Sequence, residues 1–332
     1  AARERLLAHG QVPAGRYAAL SVHVTAANLR GEYGDSALRL AEETGRAPLA
    51  FSVAEHQGTV VDAAIDARAM VAGDALFHPA FRADSTPRLP SAVLGLVSCT
   101  ELSSVVLIDK RSGQVVDIVP VGRRPGGIVL STDRRRAFVA LSGEDAVVAI
   151  DLERGMVSDR RPLLVGDEPV DLGITPDGRT LLVVNRGSNS VAALSTTGLS
   201  ETGRIALAAN PGGVPADASR FVPGTGGPTA IAVDRAGQRA YVFNSQGSSI
   251  FVLSVTPLQT ITRVAVDLGP VRGYFNRAQD RLWVLHDGSP YLTAIDTQAL
   301  TVAQRLNLGA GATAVRVDPL TDRIFVARRD GT

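Results

Sequence analysis

The chain has 332 residues, 45% of them apolar and only 5% aromatic, with a mean hydropathy of +0.12 and a formal net charge of +1. That is enough material for one large core or two domains, built mainly from Val, Leu, Ile and Ala. The 34 basic side chains are set against 33 carboxylates and scattered among them, which excludes the polybasic footprint of a nucleic-acid binder.

The single cysteine, Cys99, excludes an intrachain disulfide, a CxxC zinc knuckle and a CxxCH haem attachment. No apolar run reaches the length of about 18 residues that a membrane span needs. AARERLLAHG at the start carries no signal-peptide core and does not begin with Met, so a mature or trimmed form of a longer chain is expected.

In chain order, residues 1–84 open with a short helical or irregular lead and continue as strands. QVPAGRYAALSVHV alternates, with Tyr17, Ala19, Ser21 and His23 on one face and Ala18, Leu20, Val22 and Val24 on the other. SALRLAEE, APLAFSVAEHQ, TVVDAAIDAR and DALFHPAFRA follow, separated by Gly and charged turns. The pattern predicts a small antiparallel β-sandwich over 1–84. Residues 85–92, within DSTPRLPSA, are polar and contain proline, and predict a linker.

From residue 93 a repeat begins. LGITPDGRTLLVVNRGSNSVAALSTTGLSETGRI (172–205) reads as four short β-branched strands closed by Gly, Asn, Asp or Pro turns. The second strand recurs as GLVSCTELSS, AFVALSGEDA, LLVVNRGSNS, YVFNSQGSS, LWVLHDGSPY and IFVARRDGT. The third recurs with Ile108, Ile150, Leu194, Leu253 and Ile295 in register, at spacings of 42, 44, 59 and 42 residues. A four-stranded unit of about 42 residues is the period of a propeller blade. The odd spacing comes from a Gly/Pro-rich insertion at 208–228. Three strands at the start, four full blades from Ile128 to about Leu308, and two strands at the end predict an all-β propeller over 93–332 that is incomplete at its C-terminus.

VGRRPGGIVLSTDRRRAFVALSGEDAVVAIDL followed by TPDGRTLLVVNRGSNSVAAL resembles the repeat of the YVTN-type β-propeller family. PAGRYAAL with the later ALFHPAFRA is similar to transthyretin-like modules of bacterial surface lipoproteins. These resemblances imply an exported bacterial protein (periplasm, outer surface or medium), bound to another surface or periplasmic protein, with an N-terminal anchor outside this chain. Fold alone does not fix activity, so two further classes stay open. One is a propeller lactonase or hydrolase with a metal in its central channel. The other is an accessory protein of an extracellular redox system containing cytochromes.

No catalytic, cofactor or metal residue follows from spacing. The five histidines (His9, His23, His56, His78, His286) show no HExxH, HxH or i, i+4 pairing, and no GxSxG elbow, P-loop or GxGxxG is present. The acidic turns STDRRR, TPDGR, DRAGQ, NRAQD and DPLTD read as hairpins rather than calcium loops. His286 ends a second strand at the register of Cys99, Leu141, Asn185, Asn244 and Arg328. That register is expected near one mouth of the ring, where Asn185, Asn244, His286 and Arg328 either contact a ligand or partner or serve as turn-formers. Arg220 and Phe221, in the 208–228 insertion, are further contact candidates, because long aperiodic loops on rigid scaffolds carry recognition.

Overall fold

The computed structural model describes residues 7–31, 34–55, 58–65, 70–72, 75–85, 94–207, 227–309, 312–318 and 320–328. Strands supply the regular elements of the described residues, and no helix among them is long and apolar enough to cross a membrane. The chain divides into two compact units: residues 1–97 with 105–120, and residues 98–104 with 121–332. The linker expected at 85–92 lies, apart from Ser85, outside the described residues.

The first unit begins with β1 (Gly15–His23), β2 (Ala27–Gly31), β3 (Gly34–Leu40) and β4 (Thr44–Val53). It continues with β5 (Val61–Ile65), β6 (Val71–Ala72), β7 (Leu76–Phe77) and β8 (Phe81–Ser85). β1 pairs with β4 and β5 with β8, both antiparallel, and Tyr17 stacks on Phe51 across the first pair with ring centroids 5.2 Å apart. The third sheet runs β2-β3-β7-β6, and its β3–β7 pairing is parallel. The expectation of a wholly antiparallel unit is corrected at this point. A parallel pair needs a long crossover, which the chain between β3 and β7 supplies.

β9 (Leu94–Cys99), β10 (Ser104–Asp109) and β11 (Val115–Pro120) form a three-stranded sheet, blade 1. Blade 2 is β12 (Pro125–Leu130), β13 (Arg136–Leu141), β14 (Ala146–Asp151) and β15 (Met156–Pro162). Blade 3 is β16 (Pro169–Ile174), β17 (Thr180–Asn185), β18 (Ser190–Ser195) and β19 (Glu201–Ala206). Blade 4 is β20 (Pro228–Val233), β21 (Arg239–Asn244), β22 (Ser249–Ser254) and β23 (Gln259–Ala265). Blade 5 is β24 (Pro270–Phe275), β25 (Arg281–His286), β26 (Tyr291–Asp296) and β27 (Thr301–Asn307), and β28 (Ala312–Val317) pairs with β29 (Ile324–Arg328) in blade 6. Each of blades 2 to 5 is an antiparallel meander in chain order.

The burial gradient follows from residue type. Second and third strands are runs such as AFVAL and AVVAI, buried on both faces between neighbouring sheets. The fourth strand of blade 2, MVSDRRP, is largely exposed. Phe138 and Val147 of blade 2 pack on Leu181 and Leu194 of blade 3. Leu182 and Val191 meet Val242 and Leu253, and Tyr241 and Ile250 meet Leu282 and Ile295. The core therefore repeats as apolar layers between consecutive blades. The first strands β12, β16, β20, β24 and β28 touch one another in succession, which makes them the inner strands of the array.

Candidate functional site

The second strands β13, β17, β21, β25 and β29 end at Leu141, Asn185, Asn244, His286 and Arg328. Each of these pairs with the opening residue of its first strand: Pro125, Pro169, Pro228, Pro270 or Ala312. Asn185, Asn244, His286 and Arg328 thus occupy equivalent places, one per blade. Asn185 is fully buried, and its Nδ2 donates to Ser190 Oγ at 3.1 Å. Half-buried Asn244 accepts the N–H of Gln246 through Oδ1 at 3.3 Å. Buried His286 holds Nδ1 3.1 Å from the carbonyl of Tyr291, so that nitrogen carries the proton. These three side chains brace the turns between second and third strands. Arg220 and Phe221 lie outside the described residues.

The Nε2 of His286 is buried without a hydrogen-bond partner. Burial pushes the pKa of His286 down, and Arg305 adds to this; the Tyr291 carbonyl and Asp267 offset part of the shift. A histidine with a depressed folded pKa contributes stability above its unfolded value, and that stability is lost as pH falls through the folded value. His286→Asn installs the residue of blades 3 and 4. It should flatten the loss of thermal stability between about pH 7 and 5, as read from Tm against pH.

Behind this register runs a ladder that the sequence reading missed. Arg160, Arg204, Arg263 and Arg305 on the fourth strands each pair opposite the third residue of a third strand: Val148, Ala192, Phe251 and Thr293. Arg160 reaches Glu144, Arg263 reaches Ser249 Oγ, and Arg305 reaches Asp267 at 3.2 Å. Arg204 is bidentate to buried Asp167, at 2.8 and 2.9 Å, and also binds Glu201 and Ser190. Ser188 Oγ and the N–H of Leu164 complete the donors to Asp167, at 2.6 and 3.0 Å. The Glu201 and Asp167 carboxylates push the Arg204 pKa further up. The backbone N–H of Arg123 and the guanidinium of Arg160 hold Glu144 below the usual carboxylate range, against the opposing effect of burial. The signal was an arginine at one register of every fourth strand, visible only once those strands are aligned.

On the inner side, the third residues of the first strands are Gly127, Asp171, Ala230, Arg272 and Ala314. Asp171 Oδ2 accepts the N–H of Ile231 from the next inner strand at 3.1 Å. A Cβ on Gly127 of the preceding strand would fall 2.3 Å from Asp171 Oδ1 and 2.7 Å from its Cα. The carboxylate is therefore wedged between the inner strands of blades 2 and 4, and it caps an N–H on an inner strand edge. Burial pushes its pKa up, while exposed Arg272 and the Ile231 N–H pull it partly back. Chemically, the site is one carboxylate hydrogen-bonded to the next inner strand, with the charge of Arg272 acting on it. Among the described residues no group of three or more His, Cys, Asp or Glu is placed to hold a metal ion.

A raised folded pKa means that the contribution of Asp171 to stability is present below its unfolded value and lost as pH rises through the folded value. Asp171→Asn keeps the acceptor for the Ile231 N–H and removes the half-buried charge. At neutral pH the variant should be at least as stable as the parent, with a flatter Tm profile from about pH 4 upward.

No protein-family model matches the chain, and no curated protein matches it. Solved structures do. It is similar to the hydrazine synthase of Kuenenia stuttgartiensis, with a TM-score of 0.60 and 18% identity over 74% of this chain and 74% of that one. It is also similar to a functionally unknown protein from Desulfotomaculum acetoxidans, with a TM-score of 0.59 and 12% identity over 71% and 72% of the two chains. A protein from Lactobacillus plantarum gives a TM-score of 0.51 and 18% identity over 77% and 81%. The fold is β-propeller-like. At these identities the likeness is one of fold alone.

Proposed function

We propose that this protein is a non-catalytic, exported binding and assembly propeller that docks another surface or periplasmic protein on the end where blades connect. The observation that carries this reading is Val165, 99% exposed beside Leu164 at 61%, on the connection from β15 to β16. Leu268, 55% exposed, occupies the connection from β23 to β24. Contiguous exposed apolar surface marks protein contacts, and Leu164 with Val165 places two adjacent apolar side chains in water at one such connection. Export rests on the resemblance of the repeat to the YVTN-type family.

The test is affinity capture of the protein and of a Leu164→Asp/Val165→Asp variant from the native envelope and medium, with metal content read on the same samples. Stoichiometric recovery of one partner by the parent, lost in the variant, supports docking on this end. A parent recovered alone, or with one equivalent of a divalent ion, speaks against it. A second reading, a channel hydrolase, is favoured by one feature only: the raised pKa of Asp171 on the inner strands.

A further inference from the structure

At the other end of the strands, the turns joining first and second strands meet in a regular way. The second residue of one turn abuts the fourth residue of the next. Thr132 meets Gly178, where an added Cβ would lie 2.5 Å from the Thr132 hydroxyl oxygen. Pro176 meets Gly237, where an added Cβ would lie 2.9 Å from Pro176 Cδ. Both glycines adopt positive φ, at 72° and 68°, and their bare backbones let adjacent turns close on each other. Between blades 4 and 5 the rule changes. The fourth residue is Gln279, held at φ 62° against the ordinary preference of a side-chain-bearing residue. Its Oε1 accepts the N–H of Arg235 at 3.1 Å, and its Nε2 donates to the carbonyl of Asn276 at 3.3 Å. A whole amide side chain thus stands where glycine stands at the two preceding junctions.

An open cleft of about 580 Å³ lies beside this junction, lined by residues of both blades. Half-buried Phe275 lies in its lining, backed edge-to-face by the fully buried Tyr241 with ring centroids 5.5 Å apart. The charges in its lining balance: Asp234 and Asp280 against Arg235 and Arg239. Three of these are already engaged, Asp280 by the Asn276 amide at 2.6 Å. Arg239 donates to the Thr297 carbonyl at 2.7 Å, and Asp234 Oδ1 accepts the N–H groups of Gln238 and Arg239. The exposed side chains of Gln238 and Gln298 are in no hydrogen bond. Each amide offers a donor and an acceptor.

We propose that this cleft binds a neutral, polyhydroxylated ligand, that is, a carbohydrate. Balanced charge disfavours ions, the two exposed amides match hydroxyl groups that both donate and accept, and half-buried Phe275 offers apolar surface to the carbon face of a sugar ring. The site is independent of the docking end proposed above.

The test is ligand-observed NMR on the full chain with sucrose, maltose, trehalose and cellobiose, repeated on Gln279→Gly and on Gln238→Ala/Gln298→Ala. At least one disaccharide should bind the parent, and its affinity should fall tenfold or more in both variants. Gln279→Gly should keep or raise Tm, because glycine adopts the left-handed conformation without strain, so its loss of binding cannot be ascribed to misfolding. Absence of binding to the parent by all four sugars, or unchanged affinity in either variant, would overturn the proposal.

Discussion

Replacing Asp167 with alanine is expected to destabilise the blade array by about 3–5 kcal/mol, the range for breaking a buried ion pair from one side. Asp167 is fully buried and takes both Nη groups of Arg204, the Ser188 hydroxyl and the Leu164 N–H. Its loss strands three elements at once: the fourth strand of blade 3 through Arg204, the turn after the second strand through Ser188, and the incoming connection through Leu164. Arg204 keeps Glu201 as a partner, so the guanidinium is not left bare, and the effect should fall toward the lower end of the range. Arg204→Ala and the double variant complete a cycle in which Asp167 and Arg204 should be strongly non-additive. Chemical denaturation of the full chain provides the measurement. Because the chain has two compact units, the shift should be read on the transition that carries the blades rather than on a single two-state fit.

The second large effect is expected at the contact between Phe243 and Gly273. Phe243 is fully buried in the layer between blades 4 and 5. Phe243→Ala should cost about 3–5 kcal/mol through lost transfer energy and the cavity left behind. Gly273 lies directly against the ring: a Cβ there would sit 2.5 Å from Phe243 Cζ and 3.1 Å from Leu282 Cδ1. Gly273→Ala should therefore cost about 1–3 kcal/mol by overpacking. The two changes are opposite in sign of volume, so Gly273→Ala should be partly relieved when Phe243 is shortened to leucine. Simple addition of the two single effects would mean that they do not share the contact.

How much of this was legible before the fold was known differs from element to element. The four-stranded unit was, because LLVVN and SVAALS repeat one apolar phrase that turn residues punctuate, and strand pairing depends on little else. The strand-end register was legible too, since Asn185, Asn244 and His286 end second strands of equal length. A turn-forming role for them was one of the two readings the sequence offered, but the partners were not legible, because a strand-end Asn reads the same whether its amide faces water or a serine. Asp171 and Arg272 gave no signal at all. Their equivalents are Gly127, Ala230 and Ala314, so nothing repeats at that position, and only the approach of successive inner strands brings the carboxylate to the Ile231 N–H. The parallel β3–β7 pair was equally hidden, for β7 is two residues long and carries no period of its own.

Whether the inner carboxylate holds blades together or performs chemistry is the question on which the functional reading turns. The direct measurement is turnover of a panel of lactones and phosphate esters by the parent and by Asp171→Asn, with and without added calcium or zinc. A scaffold role requires no turnover by either protein, and an Asp171→Asn variant that folds at neutral pH at least as stably as the parent. Turnover by the parent that disappears in a folded Asp171→Asn would contradict that role and make the inner strands an active site.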